Sequence, residues 1–163
     1  MKRKNLLVFS LIFLLAINLI MPLKDYNAKA LTRNVINLNF VPSDSVIDPN
    51  RPIIYAVSST SKSVYSINYE TGETKKVDFT LQPERIAIAN DKLYVTLLKM
   101  QHTSYTTDPL EGAVGIIDSS NLSILDQFDI DMDPYDIDVD EKGNIYIPRI
   151  KPMGELRSIF CQY

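Results

Sequence analysis

The segment "MDPYDIDVDEKGNIYIPRI", Met132–Ile150, decides how this chain is read. Through Tyr135–Asp140 polar and apolar residues alternate, so Ile137 and Val139 fall on one face of an extended strand and Asp136, Asp138 and Asp140 on the other. "EKGN", Glu141–Asn144, is a turn signal: Gly supplies positive φ and Asn tolerates the left-handed region. "NIYIPRI" then resumes the strand pattern around Tyr146. The order is proline, strand, tight turn, strand.

The same order occurs twice more. "VPSDSVIDPNRPIIYAVSS" begins at Val41 and "LQPERIAIANDKLYVTLL" at Leu81. The prolines are Pro42, Pro83 and Pro134, and the central tyrosines are Tyr55, Tyr94 and Tyr146. The tyrosine spacing is 39 and then 52 residues, and the excess of 13 is matched by the polar insertion "KMQHTSYTTDPLEG", Lys99–Gly112. Between these segments lie "KSVYSINYETGETKKVDF" and "GAVGIIDSSNLSILDQFDI", each strand, turn, strand, with Val64 and Ile67 placed 50 residues before Val114 and Ile117. No segment beyond the N-terminal leader shows helical periodicity. The expected fold is all-β, built of units of four short antiparallel strands in roughly 40 residues, the size of a β-propeller blade. The units fall near residues 41–80, 81–131 and 132–163.

These segments resemble the YVTN-type β-propeller repeat. That pattern is a strand ending in Asp, a turn, a strand, a Pro, a strand, a Gly-Asn-like turn and "(I/L)Y(V/I)". "GAVGIIDSSNLSILDQFDIDMDPYDIDVDEKGNIYIPR" follows it, and "KSVYSINYETGETKKVDFTLQPERIAIANDKLYVT" does so with Asn68 in place of the Asp and "AND" in place of the Gly-Asn turn. The resemblance implies an antiparallel propeller of which about two and a half blades are present, an incomplete ring. The third unit places Leu156 and Ile159 where the first has Val64 and Ile67, and "SIFCQY" stands where an outer strand is expected. The chain therefore reads as a truncated product, the alternative being a small protein that completes its ring by oligomerising. The family serves many roles, so it implies no particular reaction.

The first thirty residues read as a signal peptide. Lys2, Arg3 and Lys4 precede the apolar run "LLVFSLIFLLAINLIMPL", and "AKA", Ala28–Ala30, places small residues at the cleavage site. Cleavage is expected after Ala30, giving a secreted or cell-surface domain from Leu31 to Tyr163; uncleaved, the segment would be the only membrane attachment. The 17 basic and 20 acidic residues of the whole chain become 12 and 19 without residues 1–30, a net charge of −7. An acidic domain without a basic patch argues against nucleic acid as a partner. Cys161 is the single cysteine, so no internal disulfide can form and the core alone must hold the fold.

Candidate chemistry is sparse. Asp136, Asp138 and Asp140 are candidate metal ligands, since like charges two apart on one strand face repel and a cation such as calcium would relieve them. They do not form an EF-hand, because Glu141 stands at position 6 and Ile147 at position 12. In the second unit Arg85, Ala87 and Ala89 occupy the matching positions, so the acids are not a repeated ligand set. The strand that carries them is expected to be innermost, facing a central channel. His102, the one histidine, sits in the insertion with Tyr105 and Asp108 and reads as a solvated loop residue without a nucleophile motif around it. Insertions of this kind concentrate binding residues, so His102, Tyr105 and Asp108 are the candidate ligand loop. No catalytic set and no cofactor motif is found. The expected function is a non-catalytic exported or cell-surface repeat protein presenting a binding surface to an extracellular or cell-wall ligand. The alternatives are a metal-dependent lactonase-like hydrolase and a truncated product without independent function.

Overall fold

A computed structural model describes residues 35–102, 111–149 and 157–161. The chain divides into two units, Met1–Val35 and Ile36–Tyr163, and every described strand belongs to the second. The signal segment, Tyr105 and Asp108 lie outside the described residues.

The fold is all-β, with no helix among the described residues. Strands β1 (Asp44–Ile47), β2 (Ile53–Ser58), β3 (Ser63–Asn68) and β4 (Thr74–Asp78) form one antiparallel sheet in sequence order. Strands β5 (Gln82–Ala89), β6 (Lys92–Leu98), β7 (Gly112–Asp118) and β8 (Ile124–Ile130) form a second sheet of the same order. Strands β9 (Asp138–Val139), β10 (Ile145–Arg149) and β11 (Arg157–Cys161) form the third. Strands β1 and β2 pack against β5, and β5 packs against β9.

The turns share one design. Asp48 Oδ1 accepts the N–H groups of Asn50 and Arg51 at 2.9 and 3.0 Å. Asn68 Oδ1 accepts those of Glu70 and Thr71, both at 2.9 Å, and Asp140 Oδ1 those of Lys142 and Asn144, also at 2.9 Å. A short carboxylate or amide satisfies the orphan donors of a tight turn, which is why Asp and Asn end these strands. Asn68 thus does the work that Asp118 does 50 residues later, where Asp118 Oδ1 accepts Ser120 N–H at 2.8 Å. Between β5 and β6 only Asn90 and Asp91 turn the chain, at φ 51° and 57°, the left-handed pair of a two-residue hairpin.

The central sheet is buried on both faces, and the period of two sorts its side chains. Leu93, Val95 and Leu97 of β6, with Ala113 and Ile117 of β7, pack against Tyr55, Val57 and Val64 of the first sheet. Tyr94 and Val114 face the other way, onto Ile137, Ile145 and Ile147 of the third sheet. Two glycines let the layers close. A Cβ on Gly115 would lie 2.9 Å from Phe79 Cε1, and one on Gly112 would lie 2.6 Å from Pro134 Cδ. The repeated proline of the third unit therefore seats on bare backbone of the second.

Two details depart from the sequence-based expectation. The strand expected over "YDIDVD" is recorded only at Asp138–Val139. Asp136 and Asp138 each turn a carboxylate back onto the next backbone N–H, at 2.9 and 2.8 Å, and this competes with ladder hydrogen bonds. The register of β10 with β11 pairs Tyr146 with Phe160 and Pro148 with Ser158, whereas Tyr55 pairs with Ser66 and Val57 with Val64. Ser158 and Cys161, not Leu156 and Ile159, thus correspond to Val64 and Ile67. The offset is two residues, so the inward and outward alternation survives it. Ile137 and Val139 pack with Ala87, Tyr94 and Val114 of the second sheet, while Asp136 and Asp138 are exposed.

Candidate functional site

The described residues with the most unusual chemistry gather where β5, the segment after β6 and the segment before β9 meet. Strand β5 is regular except between Pro83 and Ile86, where its register against β6 shifts. A bulge re-aims side chains, and here it projects Glu84 and Arg85 out of the ladder. The irregularity is held by the buried Thr96 hydroxyl, which accepts the Arg85 N–H at 2.9 Å.

His102 lies between two carboxylates from different elements. Its Nδ1 is 2.8 Å from Asp133 Oδ2 and its Nε2 is 2.5 Å from Glu84 Oε2. Its ring stacks on Tyr135, with centroids 4.1 Å apart and planes 17° from parallel. Asp133 is 3% exposed, and its second oxygen, Oδ1, is buried and receives no hydrogen bond. Arg85 closes the cluster: Nε donates to the Tyr135 carbonyl at 3.2 Å, Nη1 to the Ser43 carbonyl at 3.3 Å, and Nη2 lies 4.0 Å from Glu84 Oε1.

Charge decides the protonation here. Burial favours the neutral imidazole, but the hydrogen bonds to Asp133 and Glu84 and their negative charges outweigh it, raising the His102 pKa above its ordinary value. Burial, joined by the charge of Asp133, a hydrogen bond with its carboxylate and the charge of Glu84, pushes the Tyr135 phenol up and keeps it neutral. An imidazolium with both N–H groups committed to carboxylates has no lone pair with which to take a proton, so His102 is poorly placed to act as a general base. The two ring nitrogens point at different carboxylates and cannot both ligate one ion. Among the described residues no three His, Cys, Asp or Glu side chains converge as a metal site.

The other candidates sit elsewhere. Asp136 and Asp138 are exposed. Asp140 is engaged structurally: its Oδ2 accepts from Asn144 Nδ2 at 2.7 Å and from the Tyr146 hydroxyl at 3.0 Å. Led by the Asn144 side chain, these bonds hold its carboxyl down to about 2. Asp48 plays the same part in the first unit, where the Tyr55 hydroxyl lies 3.3 Å from its Oδ2. Of the proposed ligand loop, His102 is found in the cluster and not in solvent; Tyr105 and Asp108 lie outside the described residues. Sequence reasoning missed Glu84, Asp133 and Tyr135. Glu84 follows Pro83, and Asp133 and Tyr135 flank Pro134, but a place beside the repeated prolines does not by itself bring these residues to His102.

No protein-family model matches the chain, and no curated protein matches it.

Proposed function

We propose that this is an exported or cell-surface repeat protein, a β-propeller of the YVTN kind, that presents a binding surface and catalyses no reaction. Successive antiparallel meanders, their stacking through equivalent residues and the adjacency of β1, β5 and β9 all support the propeller reading. The basic, apolar and small-residue order of Met1–Ala30 supports export.

The observation that carries the non-catalytic reading is the state of His102. The one side chain whose ordinary pKa suits proton transfer near neutrality is tied down at both nitrogens. Around it Glu84, Arg85 and Tyr135 offer a carboxylate, a guanidinium and a phenol beside the insertion. Such a mixed polar rim suits an extracellular or cell-wall ligand rich in hydroxyl and amide groups.

One observation favours a second reading. Asp136 and Asp138 are exposed on one strand face, where a bound cation would relieve their repulsion, as a calcium-dependent lactonase-like hydrolase would need. The two readings separate in a melting experiment. An ion that binds only the native state raises Tm in proportion to the logarithm of its excess over Kd. The expected result is that millimolar calcium leaves Tm unchanged to within about 1 °C and that lactone substrates are not turned over. A rise in Tm that tracks calcium and disappears in Asp138→Ala, together with lactone hydrolysis, would replace the binding reading with the enzymatic one.

A further inference from the structure

The clamp around His102 joins three parts of the chain that are distant in sequence. His102 closes the segment that leaves β6; Glu84 stands 18 residues earlier on β5; Asp133 stands 31 residues later, between β8 and β9. We propose that His102 is a pH-operated latch, which in its protonated form ties the end of the β6 segment to β5 and to the β8–β9 connection, and which releases both when it loses its proton. The inference does not depend on what the surface binds.

The geometry requires two donors. Both nitrogens lie within hydrogen-bond distance of a carboxylate oxygen, at 2.8 and 2.5 Å. A carboxylate can only accept, so each nitrogen must carry a proton. The neutral ring carries one. Whichever tautomer forms, a nitrogen lone pair then faces an oxygen lone pair at close range, and one carboxylate loses its partner.

Asp133 makes that loss hard to absorb. It is 3% exposed, and its Oδ1 already lacks a hydrogen bond. With the imidazolium gone, a buried carboxylate would be left to its weaker neighbours, which is costly unless the segment moves to admit water. Among the described residues, the charged and titratable groups that face His102 come from two elements. From β5 they are Glu84 and Arg85, and Arg85 remains cationic throughout but approaches Glu84 only at 4.0 Å. From the β8–β9 connection they are Asp133 and Tyr135, and the Tyr135 phenol, which stays neutral, offers Asp133 a hydrogen bond but no charge. Nothing among them replaces the second N–H of the ring.

The sign follows from linkage. A histidine whose pKa is higher folded than unfolded adds stability that is complete below the unfolded value, about 6.5, and disappears as pH rises through the folded value. The latch is therefore closed below the unfolded value and opens as pH rises through the folded one.

The test compares the protein with His102→Gln and Glu84→Gln by thermal melting from about pH 6 to about pH 9, a range in which histidine and, toward its alkaline end, the Cys161 thiol shared by all three proteins are the ordinary side chains that change charge. Glutamine cannot be protonated. The expected result is a wild-type Tm that exceeds that of His102→Gln at the acid end by several degrees and converges on it at the alkaline end. Glu84→Gln removes one of the two negative charges that favour the imidazolium and should show a smaller fall with pH than the wild type, which keeps the test decisive if His102→Gln does not fold. The local readout is the contact between the His102 and Tyr135 rings by nuclear Overhauser effects, present near pH 6 and lost near pH 9. A Tm–pH profile shared by the wild type and Glu84→Gln, or ring contacts that persist unchanged to alkaline pH, would overturn the latch.

Discussion

Replacing Leu97 with alanine should lower the unfolding free energy by about 3 kcal/mol. Leu97 has no exposed surface and lies on β6, flanked by β5 and β7. Its side chain packs in the cluster shared with Tyr55, Val57, Val64 and Phe79, at the junction of the first two sheets. Strands on both sides fix the backbone, so the walls cannot close on the space left behind, and the cavity cost adds to the lost transfer free energy. A domain of this size is stable by only about 5–15 kcal/mol, so the change is a large part of the whole. It should appear as a fall in Tm on the order of 10 °C. Leu125, 50% exposed on β8, supplies the control. Leu125→Ala should stay within about 0.5 kcal/mol of the wild type in urea unfolding. Equal effects for the two leucines would mean that the first two sheets do not stack through β6 and β7.

The second large effect is expected from Arg51→Ala. Arg51 stands in the β1–β2 turn but serves the junction between sheets. Its Nε donates to Asp48 Oδ2 at 2.8 Å, and its Nη2 lies 2.7 Å from the same oxygen and donates to Ser119 Oγ at 2.5 Å. Ser119 belongs to the turn after β7; its carbonyl accepts the Tyr55 hydroxyl at 2.6 Å, and its hydroxyl donates to the Asp91 carbonyl at 2.8 Å. The Asp48 side chain is 2% exposed. Truncation leaves that carboxylate buried with backbone N–H groups and a tyrosine hydroxyl but no cation. A fully buried ion pair broken in this way costs about 3–5 kcal/mol. Arg51 keeps 30% of its side chain in solvent, so we expect roughly 2 kcal/mol here.

The effect should depend on pH in a definite direction. Burial opposes the Asp48 charge, but the N–H of Asn50 and the Arg51 side chain overcome it and lower the pKa below the ordinary value of 3.8. A depressed carboxyl contributes stability above its unfolded pKa and loses it as pH falls through the folded one. Without Arg51 the carboxyl gives up its charge more readily, so the penalty of Arg51→Ala should shrink below about pH 4. Urea unfolding at neutral pH and near pH 3.5 measures it. A penalty that does not change between the two would show that Asp48 is not what the arginine serves.

Much of the fold was legible in particular residues. Strands β2, β3, β6 and β7 could be read because their side chains alternate between two buried faces, and because Val64 with Val114 and Ile67 with Ile117 keep one spacing. The equivalence of Tyr55, Tyr94 and Tyr146 was legible as well. That Tyr55 points to the second sheet and Tyr94 to the third was not, since alternation gives two faces without saying which neighbour each meets. Strand β9 was overdrawn because the spacing of its acids suits a strand, while their short side chains capture the local N–H groups. The third unit slipped by two residues because no repeated landmark follows Pro148.

The site was less legible than the fold. His102 stood out as the one histidine, but its surroundings were read from sequence neighbours. Its partners come instead from a bulge in β5 and from the residue before Pro134, and no local pattern brings 84, 102 and 133 together. A bulge exchanges regular pairing for a re-aimed side chain, and sequence alternation cannot register that exchange in advance.

The most direct measurement is the titration of His102 itself. Because it is the single histidine, one pair of ring 15N resonances followed by NMR from about pH 5 to about pH 10 reports its state without ambiguity. The structure predicts a midpoint raised above 6.5, with both nitrogens protonated below it. A midpoint at or below 6.5 would contradict the two-carboxylate clamp and return His102 to the candidates for proton transfer.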